Sequence, residues 1–164
     1  QIQQLVSLID LPPTLLDAAG LDVWEAMQGR SILPLINGQG QGRSSRGDGV
    51  ADWPEEVFVQ ISESQVGRAV RTHRWKYGVD AAQADPAKAG GSEVYTEQYL
   101  YDLQADPYEL NNLVGLQSHR PAADILAARL TRRMREAGEA EPVIEPAPER
   151  RSGQRRVNAD EARQ

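Results

Sequence analysis

The sequence lacks cysteine, a long apolar run and an excess of basic charge, and only 5% of its residues are aromatic. Without cysteine, the 164 residues cannot form disulfides, thiolate zinc sites or a thiol nucleophile. No stretch approaches the roughly 20 apolar residues that a membrane span needs, so we expect a soluble protein with no membrane partner. The sequence does not determine the cellular compartment, although it slightly favours the cytoplasm. A net charge of -6 and a pI near 5.0 argue against a nucleic-acid partner.

What the sequence does contain is enough residues for about one domain with a modest core. It opens with QIQQLVSLID, which shows neither an initiator Met nor a signal pattern, and this predicts that the natural start lies upstream. Residues Leu5–Ala19 form an apolar stretch that predicts a short helix closed by Gly20. Residues 37–52 are rich in glycine, serine and charge, and they predict a linker loop.

After this linker the apolar residues recur with a period of two, which is typical of strands. EVFVQIS predicts a first strand, Arg68–Thr72 and Trp75–Val79 predict a hairpin, and EQYLYDL predicts a fourth strand after an exposed excursion over residues 80–96. Strands this close in sequence are most simply antiparallel, because parallel pairs need long crossovers.

The next segment, RPAADILAARLTRRMREAG, has the pattern of an amphipathic helix that ends at Gly138. Leu126, Leu130 and Met134 make an apolar stripe that can cover one face of the sheet. The predicted fold class is therefore α+β, with a small four-stranded antiparallel sheet packed against a C-terminal helix. Residues 139–164 hold few apolar residues, and they predict an extended, disordered tail.

Arginines 129, 132, 133 and 135 lie along this predicted helix. They could form a patch for an anionic ligand. The alternative is a solvated helix face whose cations complement the carbonyl end of the helix dipole, which is the more usual role of such a run.

The most polar stretch is YLYDLQADPYELNNLVG, residues 99–115. A calcium loop that begins at Asp102 would need Gly at its sixth position and Glu at its twelfth, where the chain has Pro107 and Leu113. The stretch has no histidine and looks like the exit of an exposed strand, so an acid–base pair is not favoured. Turn formation explains its residue types, which include Asp106, Pro107, Asn111 and Asn112.

Other candidate chemical groups also have simple structural explanations. His73 lies in the predicted hairpin turn and His119 lies just before the predicted helix, so we expect both to be exposed or capping. Arg71 and Lys76 could bind sulfate, but alternating basic residues on a half-exposed strand are typical of a solvated face.

Four segments in order resemble the sulfatase family. LYDLQADPYELNNLVG resembles its C-terminal signature, LIDLPPTLLDAAG its Asp-Leu-x-Pro-Thr-Leu-Leu helix, MQGRSILPLING its Gly-x-Ser-Leu-x-Pro-Leu segment, and RAVRTHRWKYGV its Arg-Thr-x-Arg-x-Lys-Tyr hairpin. Each motif alone is weak, but their shared order over residues 5–113 makes chance an unsatisfactory explanation.

This resemblance implies a place within a larger enzyme of the alkaline-phosphatase superfamily, in which a large α/β domain holds calcium and a formylglycine nucleophile. Residues 1–36 would be the end of that catalytic domain, residues 37–52 a linker, residues 53–138 the C-terminal subdomain and residues 139–164 a tail. The family's Cys/Ser-x-Pro-x-Arg nucleophile motif does not occur here. The resemblance therefore implies no catalytic residue and no metal ligand within this chain, which alone would be inactive.

The implied partners are the missing N-terminal catalytic domain and the sulfate ester substrate of the parent enzyme. The segment ISESQVGR joins the first predicted strand to the hairpin and could project a loop into the catalytic cleft. Gln65 and Arg68 are its candidate substrate-binding residues, because the planar Arg fork makes paired hydrogen bonds with anions. The alternative for this segment is a plain hairpin loop.

Two other functions stay open. A parent of the same superfamily could cleave a phosphodiester or phosphonate, since these segments do not contact the element that distinguishes sulfur from phosphorus. A stand-alone α+β module could instead bind an anionic partner through its arginine helix or its tail.

Overall fold

The structure is a computed structural model that describes residues 2–37 and 53–164, and it divides into two compact units, Gln1–Val57 and Phe58–Gln164. Apart from Asn37, the predicted linker lies outside the described residues. The helices are α1 (Leu11–Ala18), α2 (Leu33–Ile36), α3 (Arg120–Glu136) and α4 (Ala159–Arg163). The strands are β1 (Glu56–Ile61), β2 (Gly67–Thr72), β3 (Trp75–Asp80), β4 (Val94–Asp102) and β5 (Val143–Glu145). Short 3-10 turns, Leu8–Asp10 and Gln117–His119, precede α1 and α3.

The N-terminal unit is organised around the carboxylate of Asp10. Its Oδ2 accepts a hydrogen bond from the Ser7 N–H at 2.8 Å, and its Oδ1 accepts one from the Arg30 N–H at 3.0 Å. The Thr14 hydroxyl adds a second tie, because it donates to the Asp10 carbonyl at 2.5 Å and accepts from the Ile32 N–H at 3.0 Å. Two buried polar residues thus connect the first helix to the chain that follows it.

The predicted helix over Leu5–Ala19 is present in a shorter form, as the 3-10 turn and α1. Pro12 and Pro13 lie near the start of α1, where a missing N–H costs no intrahelical hydrogen bond. Gly20 follows the helix with φ of +70°, a left-handed conformation that glycine adopts without a Cβ clash.

The sheet has five strands in the order β1-β2-β3-β4-β5. The β2–β3 hairpin is antiparallel, with Val70 opposite Tyr77, and β3–β4 is antiparallel with a register shift at Gly78 and Val79. The four predicted strands are present as β1 to β4, and the structure adds a fifth strand, β5, which pairs with β4 in parallel. The intervening α3 supplies the long crossover that a parallel neighbour requires.

The core of the C-terminal unit lies between the sheet and α3. Trp75, Tyr77 and Tyr95 from the strands are fully buried, and so are the predicted stripe residues of α3, which are Leu126, Leu130 and Met134. The helix ends at Glu136, and Gly138 follows with φ of +87°, as its position in the sequence predicts. The amphipathic pattern therefore identified the helix face that packs on the sheet.

Residues 139–164 differ from the extended, disordered tail that their composition predicts. They add β5 to the sheet and end in α4, which packs on α3. Val157 and Ala162 are buried in the core, and the Trp75 indole N–H donates to the Glu161 carbonyl at 2.9 Å. A few small apolar side chains and backbone hydrogen bonds fix this segment, and neither produces a clear periodic signal in the sequence.

Candidate functional site

The predicted site lies at one end of the sheet, where residues 62–66 connect β1 to β2 and residues 81–93 connect β3 to β4. We call this end, with its two connections, the loop end. The two loops contact each other directly, since the Ser62 hydroxyl donates to the Gly90 carbonyl at 3.0 Å. Glu63 and Ser64 are exposed and Gln65 is half-buried, so the first loop presents polar groups to solvent.

Gln65, the first predicted substrate residue, lies half-buried in the first loop of the loop end. Its Nε2 folds over the neighbouring Gly67, where a Cβ would lie only 2.9 Å from it. An amide offers both a donor and an acceptor, which suits sulfate oxygens and sugar hydroxyls alike. The structure thus leaves this candidate partly accessible.

Arg68, the second predicted substrate residue, is turned into the protein. Its side chain has no exposed surface, and its Nε donates to Glu139 Oε1 at 2.8 Å. Nη1 donates to the Ile61 and Gly67 carbonyls at 3.2 and 2.8 Å, and Nη2 donates to the Gly90 carbonyl at 2.6 Å. Direct contact with substrate does not fit this geometry, because four of the five guanidinium N–H groups already have partners inside the chain.

The opposite end of the sheet holds a second guanidinium, that of Arg74, which is partly buried. Arg74 donates to both carboxylate oxygens of Asp102, with the shortest distance 2.9 Å from Nη2, and it lies 4.7 Å from the centre of the Trp75 ring. His119 contacts the same tryptophan edge-on at 6.3 Å. Burial lowers the pKa of His119 and the Arg74 charge lowers it further, while the Asp102 charge opposes both.

The expectation that His73 and His119 are exposed or capping holds for His73 by exposure and for His119 by position, since His119 is the N-cap residue of α3, although its side chain makes no capping hydrogen bond. His73 is exposed in the hairpin turn, whereas His119 is 8% exposed and packs in the core. Its Nδ1 lies 2.8 Å from the Ser118 hydroxyl, which lies 2.8 Å from the Ser152 hydroxyl. The sequence did not show that His119 would be buried, because the C-terminal segment covers this helix start only in the folded chain.

A polar pocket of about 500 Å³ opens beside these serines. One side comes from the start of α3 and the other from the C-terminal segment, and the lining residues are Gln117, Ser118, Arg120, Glu149, Ser152, Gln154 and Arg156. Sequence reasoning missed this pocket, because it forms only when residues 149–156 return to the start of α3.

A buried carboxylate that sequence reasoning also missed lies in β4. Glu97 accepts from both Nη atoms of Arg120 at 2.6 and 2.8 Å, from the Tyr77 hydroxyl at 3.0 Å and from the Ala147 N–H at 3.0 Å. Burial alone would raise the pKa of Glu97, but these hydrogen bonds and the Arg120 charge lower it overall. Burial and the Glu97 charge raise the pKa of Tyr77. Glu97 thus connects the sheet, α3 and the C-terminal segment.

The polar stretch at residues 99–115 forms turns, as the sequence predicts. Asp102 Oδ1 accepts from the Gln104 N–H at 3.2 Å, and Asp106 Oδ2 accepts from the Asn111 N–H at 2.7 Å. Asn112 Oδ1 accepts from the N–H groups of two further residues, Leu100 and Val114, each at 3.0 Å. Among the non-glycine residues of this stretch, Glu109 adopts the left-handed backbone conformation, with φ of 56°, and neither asparagine does.

The basic candidates on the sheet and on α3 also have partners or exposed positions. Lys76 Nζ lies 2.7 Å from Glu109 Oε2, and Arg71 is exposed. On α3, Arg133 pairs with Glu136 at 2.6 Å, and Arg135 lies 3.6 Å from Glu141. These contacts favour a solvated, internally paired helix face over an anion-binding patch.

The described residues offer no side-chain cluster for a metal such as calcium, and the sequence offers no formylglycine motif. Within residues 2–37 and 53–164, no group of three or more His, Cys, Asp or Glu side chains could hold a metal ion. The Cys/Ser-x-Pro-x-Arg motif that carries formylglycine does not occur, because the sequence has no cysteine and no serine is followed two positions later by proline. The same described ranges contain no helix long and apolar enough to cross a membrane.

Comparison with known proteins gives the same family as the motifs. Residues 1–137 match the family model for the C-terminal region of N-sulphoglucosamine sulphohydrolase. The chain is 30% identical over 115 residues to arylsulfatase K of Gallus gallus and 30% identical over 107 residues to N-acetylglucosamine-6-O-sulfatase of Bacteroides thetaiotaomicron. These matches cover 69% and 65% of the chain but only 19% and 17% of the relatives.

Solved sulfatase structures share the fold. The structure of BT4656 in complex with its substrate D-glucosamine-2-N,6-O-disulfate matches 81% of the chain and 24% of that protein, with a TM-score of 0.60 at 24% identity. The structure of BT1596, a 2-O GAG sulfatase, matches 79% of the chain and 24% of that protein, with a TM-score of 0.53 at 26% identity. The chain belongs to the N-sulphoglucosamine sulphohydrolase C-terminal family and is a C-terminal sulfatase region.

Proposed function

We propose that the chain is the C-terminal part of a hydrolase that cleaves sulfate esters. The observation that carries this proposal is the family match over residues 1–137, since it spans both the N-terminal unit and the sheet unit through α3. Relatives named as sulfatases support it. Because the chain spans only about one fifth of their length, the remaining part of the parent protein would carry the chemistry.

Sulfate ester cleavage needs an activated nucleophile, a cation that neutralises the sulfuryl oxygens and an acid that protonates the leaving oxygen. Since the described residues offer no metal-binding cluster and the sequence offers no formylglycine motif, the proposal assigns both groups to the parent's N-terminal catalytic domain. The chain by itself is then inactive. Its own contribution is to support that domain and to present the loop end to the substrate.

Gln65 is the proposed substrate contact. It lies half-buried on a loop whose neighbours are polar and exposed, and its amide can donate to a sulfate oxygen or a sugar hydroxyl. Arg68, which is buried and bonded within the chain, supports the loop and does not touch the substrate. Truncation of Gln65 to Ala in the full-length protein should raise KM about tenfold, as expected for a lost hydrogen bond to a charged group. Truncation of the exposed Gln104 to Ala is the matched control, and an equal effect of both would remove Gln65 from the site.

The activity itself is tested with the full-length gene product. Release of inorganic sulfate is measured from an aryl sulfate and from 6-O- and N-sulfated glucosamine, beside an aryl phosphodiester and an aryl phosphonate as competing substrates. We expect sulfate release to exceed phosphoester cleavage. The opposite preference would assign the parent to the phosphodiester or phosphonate branch of the superfamily.

The third function, a stand-alone module for an anionic partner, has no observation in its favour. The arginines of α3 pair with neighbouring groups, and the tail returns to the core of its own unit. Sulfate ester hydrolysis by the 164-residue chain alone would contradict the proposal that the parent's N-terminal catalytic domain carries the chemistry.

A further inference from the structure

We infer that Arg68 and Glu139 are positioning residues, whose buried ion pair holds the two loops of the loop end in one arrangement toward the substrate. The inference rests on the proposed function, because it concerns the same end of the sheet as Gln65. It assigns to Arg68 a role different from the direct contact that its sequence position predicts.

The guanidinium of Arg68 reaches both loops at once. Nη1 donates to the carbonyl of Ile61, the last residue before the first loop, at 3.2 Å. Nη2 donates to the carbonyl of Gly90, in the second loop, at 2.6 Å. Ser62 donates to the same Gly90 carbonyl at 3.0 Å, so one acceptor joins the guanidinium and both loops. A displacement of Arg68 would therefore release the loops together.

Glu139 fixes the direction in which the guanidinium points. Its Oε1 accepts from Nε at 2.8 Å, while the Tyr95 ring lies 5.9 Å from the guanidinium carbon. The second loop passes close above this pair, since a Cβ on Gly91 would lie 3.3 Å from Arg68 Nη2 and 3.4 Å from Glu139 Oε2. Glu139 lies beyond residues 1–137, which the family model matches. The pair is thus a feature that the family match does not itself supply.

The chain offers a matched control at the other end of the sheet. Arg74 and Asp102 form a bidentate pair beside an aromatic ring, whereas Arg68 and Glu139 share a single hydrogen bond. Both pairs are largely buried, with side-chain exposure of 14% and 10% for Arg74 and Asp102 against 0% and 20% for Arg68 and Glu139. The Arg74 pair joins the start of β3 to the end of β4 and contacts neither loop of the loop end. A purely structural role would make the two pairs behave alike.

The kinetic test compares Glu139→Gln with Asp102→Asn in the full-length protein, using the sulfate ester that it hydrolyses. Glu139→Gln should raise KM about tenfold and change kcat less than about twofold, because misplaced binding loops weaken substrate binding. Asp102→Asn should leave KM within about twofold of wild type while lowering Tm comparably. Arg68→Lys, which keeps the charge and loses the fork, should resemble Glu139→Gln. Equal KM changes in Glu139→Gln and Asp102→Asn, or an unchanged KM in both variants, would overturn the inference.

A second readout needs no activity and uses the 164-residue chain. Lys88 lies in the second loop with 82% side-chain exposure, so tryptic cleavage after it reports local opening of that loop. Glu139→Gln should accelerate this cleavage about fivefold or more, and Asp102→Asn should not. Equal rates in the two variants would overturn the inference that the Arg68–Glu139 pair holds the loops. If the full-length wild type hydrolyses no sulfate ester, the proposed function fails, and the tryptic rates still decide whether the pair holds the loops.

Discussion

The two units of the chain bury their apolar residues to very different extents. In the C-terminal unit, Trp75, Leu126 and Leu130 have no exposed surface, and a sheet and a helix enclose them. In the N-terminal unit, Leu8 and Leu15 are 83% and 70% exposed, although buried polar bonds hold its backbone. Local hydrogen bonds can therefore shape a segment whose apolar side chains, among the residues that the structure describes, are largely exposed. The comparison predicts where substitutions will change stability.

The largest expected effect comes from the core of the C-terminal unit. Leu126→Ala removes a fully buried side chain from the interface between α3 and the sheet, and it should lower the free energy of unfolding by about 3 kcal/mol. Leu15→Ala, the matched change in the N-terminal unit, should alter it by no more than about 0.5 kcal/mol. Urea denaturation of both variants measures the difference. Similar losses would mean that the N-terminal unit also has a tightly packed core.

Glu97 tests whether a polar contact can matter as much as the apolar core. Glu97→Gln places an amide N–H₂ group against the Arg120 guanidinium or another of the donors that bond to Glu97. It should lower the free energy of unfolding by about 2 kcal/mol. Because Glu97 also accepts from the Ala147 N–H, hydrogen exchange at β5 should accelerate. Glu93→Gln, at an exposed position just before β4, is the control. A stability loss for Glu97→Gln no greater than for that control would show that the buried network contributes little.

The sequence predicted those parts of the fold that depend on local patterns. The four-residue spacing from Leu126 to Met134 identified the buried face of α3, and two short β-prone segments identified the β2–β3 hairpin. What it missed depends on residues far apart in the chain, such as Glu97 with Ala147 and Arg68 with Glu139. A local periodic pattern carries no information about such distant pairs. The sequence therefore did not predict β5, α4 or the inward direction of the Arg68 side chain.

The candidate site shows the same difference between features set by local residues and features set by distant ones. The segment from Ser62 to Gln65 was correctly predicted to be a polar connection between strands, because its residue types favour loops. Whether Arg68 faces solvent or the interior depends on Glu139, 71 residues away. The sequence therefore predicted the loop but not the buried position of the Arg68 guanidinium.

A smaller effect, confined to mildly acidic pH, is expected from His119 in the C-terminal unit. Burial first, and then the Arg74 charge, lower the pKa of His119, whereas the unfolded chain takes up a proton near the ordinary value of 6.5. As pH falls from 6.5 toward the folded pKa, only the unfolded state gains the proton, so stability declines by at most about 1.4 kcal/mol per pH unit. Thermal unfolding from pH 7.5 to 5.0 should show this slope in wild type and a shallower one in His119→Gln. The exposed His73→Gln should keep it, and an unchanged slope in His119→Gln would assign the pH dependence to another group.

The smallest effect on stability concerns the exposed face of the N-terminal unit, where the expected change is in surface chemistry. Leu8, Leu11 and Leu15 are spaced by three and four residues, so they lie on one helical face, and all three are exposed. An apolar face of this kind favours association and dye binding. Leu15→Lys should therefore reduce the fluorescence of a bound hydrophobic dye about twofold and shift sedimentation toward the monomer, with stability changed by about 0.5 kcal/mol or less. Val59→Lys, at an exposed apolar position in β1, is the control and should reduce dye binding less. A wild-type chain that is monomeric and binds no dye would remove the contrast between the two units, because the N-terminal face would then need no covering surface.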